Sequence, residues 1–197
     1  GEFSGPYRRL QAAIDEAYAA GLIGENILGS GFSCDILIYR GAGSYVCGEA
    51  SALITSIEGK RGYPRNRPPR LTVRGLYQKP TVINNVETLS NIAWIVTHGS
   101  AAFKAIGSPK ASGTRLISLS GHVVNPGVFE IEYGYPWKRL IYEDAGGMMH
   151  GAKLKCVIPG GISTKVLTRE EVERLNLDPA EVEPAGSSMG SGGMVAI

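Results

Sequence analysis

Apolar residues near the start of the chain recur at a helical interval. Leu10, Ala13, Ile14, Ala17 and Tyr18 fall on one face, and Gly21 stands where a helix C-terminus favours a left-handed residue. The uninterrupted run Asp35-Ile36-Leu37-Ile38-Tyr39 predicts a buried strand. It leads into a glycine-rich turn, Gly41 to Gly48, and then a short helix, about Glu49 to Glu58, closed by Gly59. Helix, strand, turn and helix in that order belong to an α/β domain, where ligands gather at strand C-termini. Prolines 64, 68 and 69 forbid helix from Lys60 to Arg70 and favour an extended course. Thr81-Val82-Ile83 reads as a short strand ahead of Asn84-Asn85. Asn85 is placed to cap a helix whose face carries Leu89, Ile92, Ala93 and Val96, ending near Gly99.

The pattern changes after about Gly107. Leu116–Ser120, Val128–Ile131, Leu154–Ile158 and Met194–Ile197 read as short strands, with one helix from about Trp137 to Ala145 between the second and third. Thr168-Arg169-Glu170-Glu171 is a capping-box start for another short helix. Strand, strand, helix, strand within some 50 residues points to an α+β roll of β-grasp type. The expected boundary lies near Ser108-Pro109-Lys110, giving one domain over 1–107 and a second over 108–197.

Composition alters this picture at a few points only. The 197 residues suffice for one large domain or two small ones, and 43% hydrophobic with 19% charged residues is ordinary for a globular chain. A net charge of +2 gives no support for a whole-surface nucleic-acid or membrane binder. Glycine stands out at 27 of 197, roughly twice the usual level of about 7%. No window approaches the ~18 apolar residues of a membrane span, and no signal peptide is visible. Cys34, Cys47 and Cys156 are scattered without a C-x-x-C. This argues for a reducing compartment and against a disulfide framework or structural zinc. A start at Gly1-Glu2-Phe3 and a stop inside an apolar run suggest an excised fragment.

The Gly41–Gly48 turn is the strongest chemical signal. Its spacing matches neither G-x-G-x-x-G nor a P-loop. Two readings stand: a bare backbone before a helix N-terminus that offers N–H groups to anions or carbonyl oxygens, or a tight strand-to-helix connection. Glu49, expected in the first helical turn, would repel a phosphate and suits a donor such as a ribityl hydroxyl. Of Asn84 and Asn85, one can cap and the other is free to meet a ligand. Lys60, Arg61, Arg65, Arg67, Arg70 and Arg74 form a basic stretch with no acid in it. It reads as a solvated loop facing an acidic partner or a nucleotide phosphate, because too few aromatics are interleaved for nucleic acid. His98, His122 and His150 are isolated and carry no assigned chemistry, and Cys47 reads as a small apolar residue.

Three long motifs carry a resemblance: Arg40-Gly41-Ala42-Gly43-Ser44-Tyr45-Val46-Cys47-Gly48-Glu49, Ser56-Ile57-Glu58-Gly59-Lys60-Arg61-Gly62-Tyr63-Pro64-Arg65 and Pro80-Thr81-Val82-Ile83-Asn84-Asn85-Val86-Glu87-Thr88-Leu89. They resemble the NADH-binding flavoprotein (51-kDa, or F) subunit of respiratory complex I and its relatives in NAD-linked formate dehydrogenases and hydrogenases. Gly121-His122-Val123-Val124-Asn125-Pro126-Gly127-Val128 and Ile158-Pro159-Gly160-Gly161 are similar to that family's soluble-ligand-binding β-grasp domain.

The resemblance implies part of a Rossmann-like FMN-binding domain followed by a β-grasp domain. It also implies oxidation of NADH at FMN, with electrons passing through iron–sulfur clusters toward quinone. Gly43, Tyr45, Gly48 and Glu49 would line the flavin and nicotinamide pocket, with Ile83, Asn84 and Asn85 contacting FMN. The cofactor would carry the chemistry, so no side chain is expected to act as acid or base. The implied partners are other subunits of the complex, especially a thioredoxin-like [2Fe–2S] subunit, at a cytoplasmic site peripheral to the inner membrane. The family's upstream glycine-rich loop and the cysteines of its [4Fe–4S] centre fall outside this sequence, so the fragment alone is expected to be inactive. Ala50, where the family has a second acid, and Arg70, where it has an aromatic, imply either a shift toward NADP(H) or simple divergence with weaker nucleotide binding. A diaphorase subunit, or a partner-binding module with a decayed flavin site, are the alternative readings.

Overall fold

A computed structural model describes residues 3–197. The chain divides into two compact units, one ending at Asn84 and the other spanning Asn85–Ile197.

In the first unit, helix α1 (Ser4–Ala19) stops as its sequence predicts. Gly21 is left-handed at φ +67°, and its N–H donates to the Tyr18 carbonyl. Gly24 and Cys34 form an isolated antiparallel bridge. The strands expected at 35–39 and 81–83 do not form, and Leu37 is 89% exposed. A parallel strand needs a neighbour to accept its ladder, and none of the described residues supplies one to either segment. Helix α2 (Ala50–Ile57) begins one residue later than expected and buries Ser51, Ala52 and Ile54. Among the described residues of this unit, the only buried apolar side chains are Ile14, Ala52 and Ile54. Its loops therefore owe their course to hydrogen bonds more than to a core.

The second unit opens with helix α3 (Val86–His98) and the short helix α4 (Ser100–Lys104). Glu87 Oε1 accepts from the Leu116 amide at 3.0 Å, tying α3 to the strands that follow. The position expected for a domain boundary, near residue 108, lies inside this unit at a turn where the Gly113 N–H donates to Ile106 O.

Strands β1 (Thr114–Gly121) and β2 (Gly127–Glu132) form a hairpin. After β3 (Tyr135–Pro136), helix α5 (Trp137–Arg139) continues into a π-helical turn, Leu140–Asp144. Strands β4 (Cys156–Ile158) and β5 (Leu167–Thr168), helix α6 (Arg169–Arg174), strand β6 (Asn176–Leu177), helix α7 (Pro179–Val182) and strand β7 (Gly193–Ala196) complete it. The main sheet runs β2-β1-β7-β4-β5, with β1 and β7 parallel at its centre and every other pair antiparallel. This is the β-grasp order, in which the first and last long strands lie side by side.

Alternation in β1 buries Ile117 and Leu119 and leaves Leu116 and Ser118 exposed. The buried pair joins Trp137, Leu140, Ile141, Val157, Leu167 and Met194 in one core. The capping box at α6 is present as the sequence predicts: Thr168 N–H donates to Glu171 Oε2, and the Glu171 amide to Thr168 Oγ1. The Pro159-Gly160-Gly161 motif has a packing reason. A Cβ on Gly160 would lie 2.5 Å from backbone atoms of Ser188, Met189 and Gly190, so two main chains touch where no side chain fits.

Candidate functional site

The glycine turn presents backbone to solvent. Gly43 is left-handed at φ +81°, and a Cβ on Gly41 or Gly48 would meet open space. Tyr45, opening a 3₁₀ turn Tyr45–Gly48, is 99% exposed. Gly41, Ala42, Gly43 and Ser44 line a cavity of about 510 Å³ whose other walls include Tyr39, Val46, Leu53 and Tyr63, with Lys60 and Arg61 at its border. Loop and turn are locked at Gly62, where a Cβ would fall 2.7 Å from Cys47 Sγ.

Glu49 is the N-cap of α2 and does not lie in its first turn. Oε2 accepts from Ser51 N (2.9 Å), Ala52 N (2.8 Å) and Ser51 Oγ (2.5 Å). Oε1 lies 3.6 Å from Arg67 Nη2. The Ser51 hydroxyl, then the two amides and Arg67, hold the carboxyl below the ordinary glutamate range. Oε2 is thus taken up by the cap, and Oε1 faces Arg67 alone among the described residues.

A second carboxylate, not singled out in the sequence, organises the loop. Glu58, with its side chain 7% exposed, receives Arg65 Nη2 at 2.7 Å and the Tyr77 amide at 2.9 Å. Arg65 also donates from Nε to Thr55 Oγ1 (2.9 Å) and from Nη1 to the Gly75 carbonyl (3.3 Å), while its own amide donates to Ser51 Oγ (2.8 Å). One guanidinium thus joins α2 to both ends of the 65–77 loop. The Arg65 hydrogen bond, then the Tyr77 amide, lower the Glu58 pKa. Glu58 and Arg65 both sit in a motif quoted above, but a seven-residue separation across an irregular loop obeys no periodic rule.

Both depressed carboxyls give a pH prediction. Groups that are more acidic folded than unfolded contribute stability in full above the unfolded value, about pH 4, and lose it as pH falls through the folded value. Carboxyl carbon titration by NMR should place the midpoints of Glu49 and Glu58 below those of unfolded peptides, and Arg65→Ala should raise that of Glu58. A Glu58 midpoint at the peptide value in the parent chain would show that the pair is not formed.

The basic stretch is less cationic than its composition implies. Lys60 and Arg65 face Glu58, Arg67 faces Glu49, and the Arg61 guanidinium lies 5.0 Å over the Tyr63 ring. Among the described residues, Arg70 and Arg74 make no ion pair. Ala50, Arg67, Arg70, Thr72, Thr81 and Ile83 line a separate depression of about 580 Å³. The structure therefore brings together three sequence candidates, Ala50, Arg70 and Ile83. Asn84 is exposed and ends the first unit. Asn85 caps α3 in the second, its Oδ1 accepting from Glu87 N at 2.8 Å.

Residues 2–94 match the Nuo51 FMN-binding domain and residues 115–195 the SLBB domain. The chain is similar along its length to NADH-quinone oxidoreductase F subunits. It is 47% identical over its full length to one such F subunit of Rhizobium meliloti and 48% identical over 97% of its length to that of Mycobacterium bovis. It spans about half the length of these relatives, 47% and 42%. A crystal structure of an NAD+-reducing [NiFe]-hydrogenase in the H2-reduced state is similar at a TM-score of 0.72 and 36% identity, over 84% of this chain and 27% of that one. The chain accordingly combines a stretch matching the Nuo51 FMN-binding domain with a β-grasp unit matching the SLBB domain.

FMN demands an apolar wall for its ring, donors for ring carbonyls and ribityl oxygens, and positive charge for its phosphate. The cavity at the glycine turn offers all three, in Tyr39, Val46 and Leu53, in the bare backbone of 41–44, and in Lys60 and Arg61. No group of three or more His, Cys, Asp or Glu side chains suited to a metal occurs among the described residues.

Proposed function

We propose that this chain is the central part of an FMN-dependent subunit that oxidises NADH and passes electrons through iron–sulfur clusters toward quinone. The observation that carries the reading is the succession of a Nuo51 FMN-binding domain and an SLBB domain at 47% identity to a named F subunit. In this reading residues 1–107 belong to the flavin domain and 108–197 to the β-grasp domain. FMN, when bound, accepts a hydride from the nicotinamide and releases electrons one at a time.

The chain's own residues position the flavin and do no proton transfer. Gly43 and Gly48 keep the backbone bare for close approach, and Tyr45 stands exposed beside them. Glu49, held ionised by its cap bonds, keeps Oε1 for a ribityl or ribose hydroxyl. Ile83, Asn84 and Asn85 are the other FMN contacts of this reading. The partners are further subunits, with a thioredoxin-like [2Fe–2S] protein as the electron acceptor, in an assembly peripheral to a membrane. No helix of the described residues is long and apolar enough to cross one. The [4Fe–4S] centre belongs to segments beyond these residues.

The hydrogenase likeness favours a second home for the same site, in a diaphorase. The test is to load the full-length subunit with FMN and follow acceptor reduction. Stoichiometric flavin with NADH-driven turnover is expected. Absence of bound flavin would leave the β-grasp unit as a partner-binding module.

A further inference from the structure

We infer that a cavity at the end of β2 binds the guanidinium of an arginine carried on an extended segment of a partner chain. The site lies wholly within the second unit and stands apart from the flavin reading.

The cavity, about 590 Å³, is lined by Tyr133, Tyr135, Glu132, Asp178, Glu181 and Lys110, among others. Three carboxylates against one ammonium leave it electronegative. Asp178 is the decisive group. It is 5% exposed and caps α7 through one oxygen, Oδ1 accepting from Ala180 N at 2.8 Å. Oδ2 has no hydrogen-bond partner among the described residues, and it is not one of the atoms sealed away from solvent. A carboxylate oxygen so nearly covered is short of water and unmatched by protein, a deficit that an incoming cation makes good. Glu181 differs. Its Oε2 accepts from Asn176 N (2.7 Å) and its Oε1 from Asn176 Nδ2 (2.9 Å), so it contributes charge more than a vacant acceptor.

The acceptors are dispersed around the wall, and none of the described carboxylates gather in the groups of three or more that suit a metal ion. A guanidinium fits better. It spreads five donors over a rigid plane, gives up its water more readily than an ammonium, and lies well against an aromatic ring. Tyr135 already holds one such group, with Arg139 lying 5.2 Å over its ring, and its hydroxyl donates to Asp144. Tyr133 carries no cation among the described residues.

The backbone beside the cavity says what bears the arginine. Strand β2 is the outermost strand of the main sheet. The Tyr133 N–H turns inward to the Gly113 carbonyl at 3.3 Å, so Glu132, one residue earlier, turns its N–H and C=O outward. An extended main chain therefore meets an unpaired edge next to the cavity that Glu132 lines.

The experiment titrates the full-length subunit, by ligand-observed NMR, with the peptide Gly-Gly-Arg-Gly-Gly and its citrulline and lysine counterparts, and with agmatine. The arginine peptide should bind on the order of tenfold tighter than the citrulline peptide, its neutral isostere. That advantage should vanish in Asp178→Asn, where asparagine still caps α7, and persist in Glu183→Gln, an exposed change outside the cavity. Tyr133→Leu, which leaves the cap alone, should cut it roughly two- to fivefold. Lys110→Gln should tighten the arginine peptide roughly two- to threefold by removing a like charge. Equal binding of the arginine and citrulline peptides, or an advantage untouched by Asp178→Asn, would overturn the proposal. A lysine peptide as tight as the arginine peptide would overturn its choice of a guanidinium. Agmatine as tight as the peptide would overturn the partner segment and leave a site for small amines.

Discussion

Arg65→Ala is expected to lower the FMN affinity of the full-length subunit by at least about tenfold, more than any other single arginine change in the loop. Arg65 makes three side-chain bonds, to Glu58, Thr55 and the Gly75 carbonyl, and its loss leaves Glu58 with the Tyr77 amide and an exposed Lys60 ammonium 3.8 Å away. A mostly covered carboxylate that loses its hydrogen-bonded cation and keeps only a looser, solvent-exposed one is poorly compensated. The loop that carries Arg61, Gly62 and Tyr63 along the glycine-turn cavity would then lose its tie to α2. Fluorescence titration with FMN measures the effect. Arg74→Ala, which breaks no ion pair among the described residues, is the comparison. Equal affinities in the two variants would mean that the loop holds its course without the guanidinium. Arg65→Lys should recover little, because one ammonium cannot reach three acceptors arranged around a planar fork.

Trp137→Ala should destabilise the β-grasp unit by about 3–5 kcal/mol, the usual range for emptying an aromatic core position. Against a typical domain stability of about 5–15 kcal/mol, that exposes the unit to unfolding under mild conditions. The side chain is wholly buried at the start of α5 and belongs to the core shared with β1, β4 and β7. Trp137→Phe should cost much less than the alanine change. Trp137 Nε1 has no hydrogen-bond partner, so phenylalanine removes a buried unsatisfied donor along with the lost volume. Hydrogen exchange at the β1 amides reports the difference. Loss of protection in both variants alike would show that the ring's size matters less than its fit.

Much of the second unit was legible because its signals are local or strictly periodic. Leu116–Ser120 read as a strand, Asn85 announced a cap, and Thr168 with Glu171 spelled out a capping box. The first unit resisted for a physical reason. Asp35–Tyr39 has a strand's composition, but a strand exists only where a neighbour accepts its hydrogen bonds, and composition does not reveal the neighbour. At the site, the bare turn and the basic stretch were visible, and their resemblance to a flavoprotein pointed the right way to the family. What the sequence concealed was the wiring. Glu49 moved by one residue from helix turn to cap, and half of the six cations proved to have carboxylate partners. Those pairs span irregular backbone, where spacing carries no information about which side chains meet.

The central place of β7 has a consequence for synthesis. Strand β1 emerges from the ribosome more than seventy residues before its parallel neighbour, Ser118 facing Gly193 and Gly121 facing Ala196. Until then β1 has only its hairpin partner, and the inner edge that β7 will occupy stays open to pairing with another nascent chain. Closure of this unit is accordingly a late event, slowed by the long loop that must be drawn together. Ribosome stalling just before Gly193 should leave the hairpin formed and the sheet unsealed.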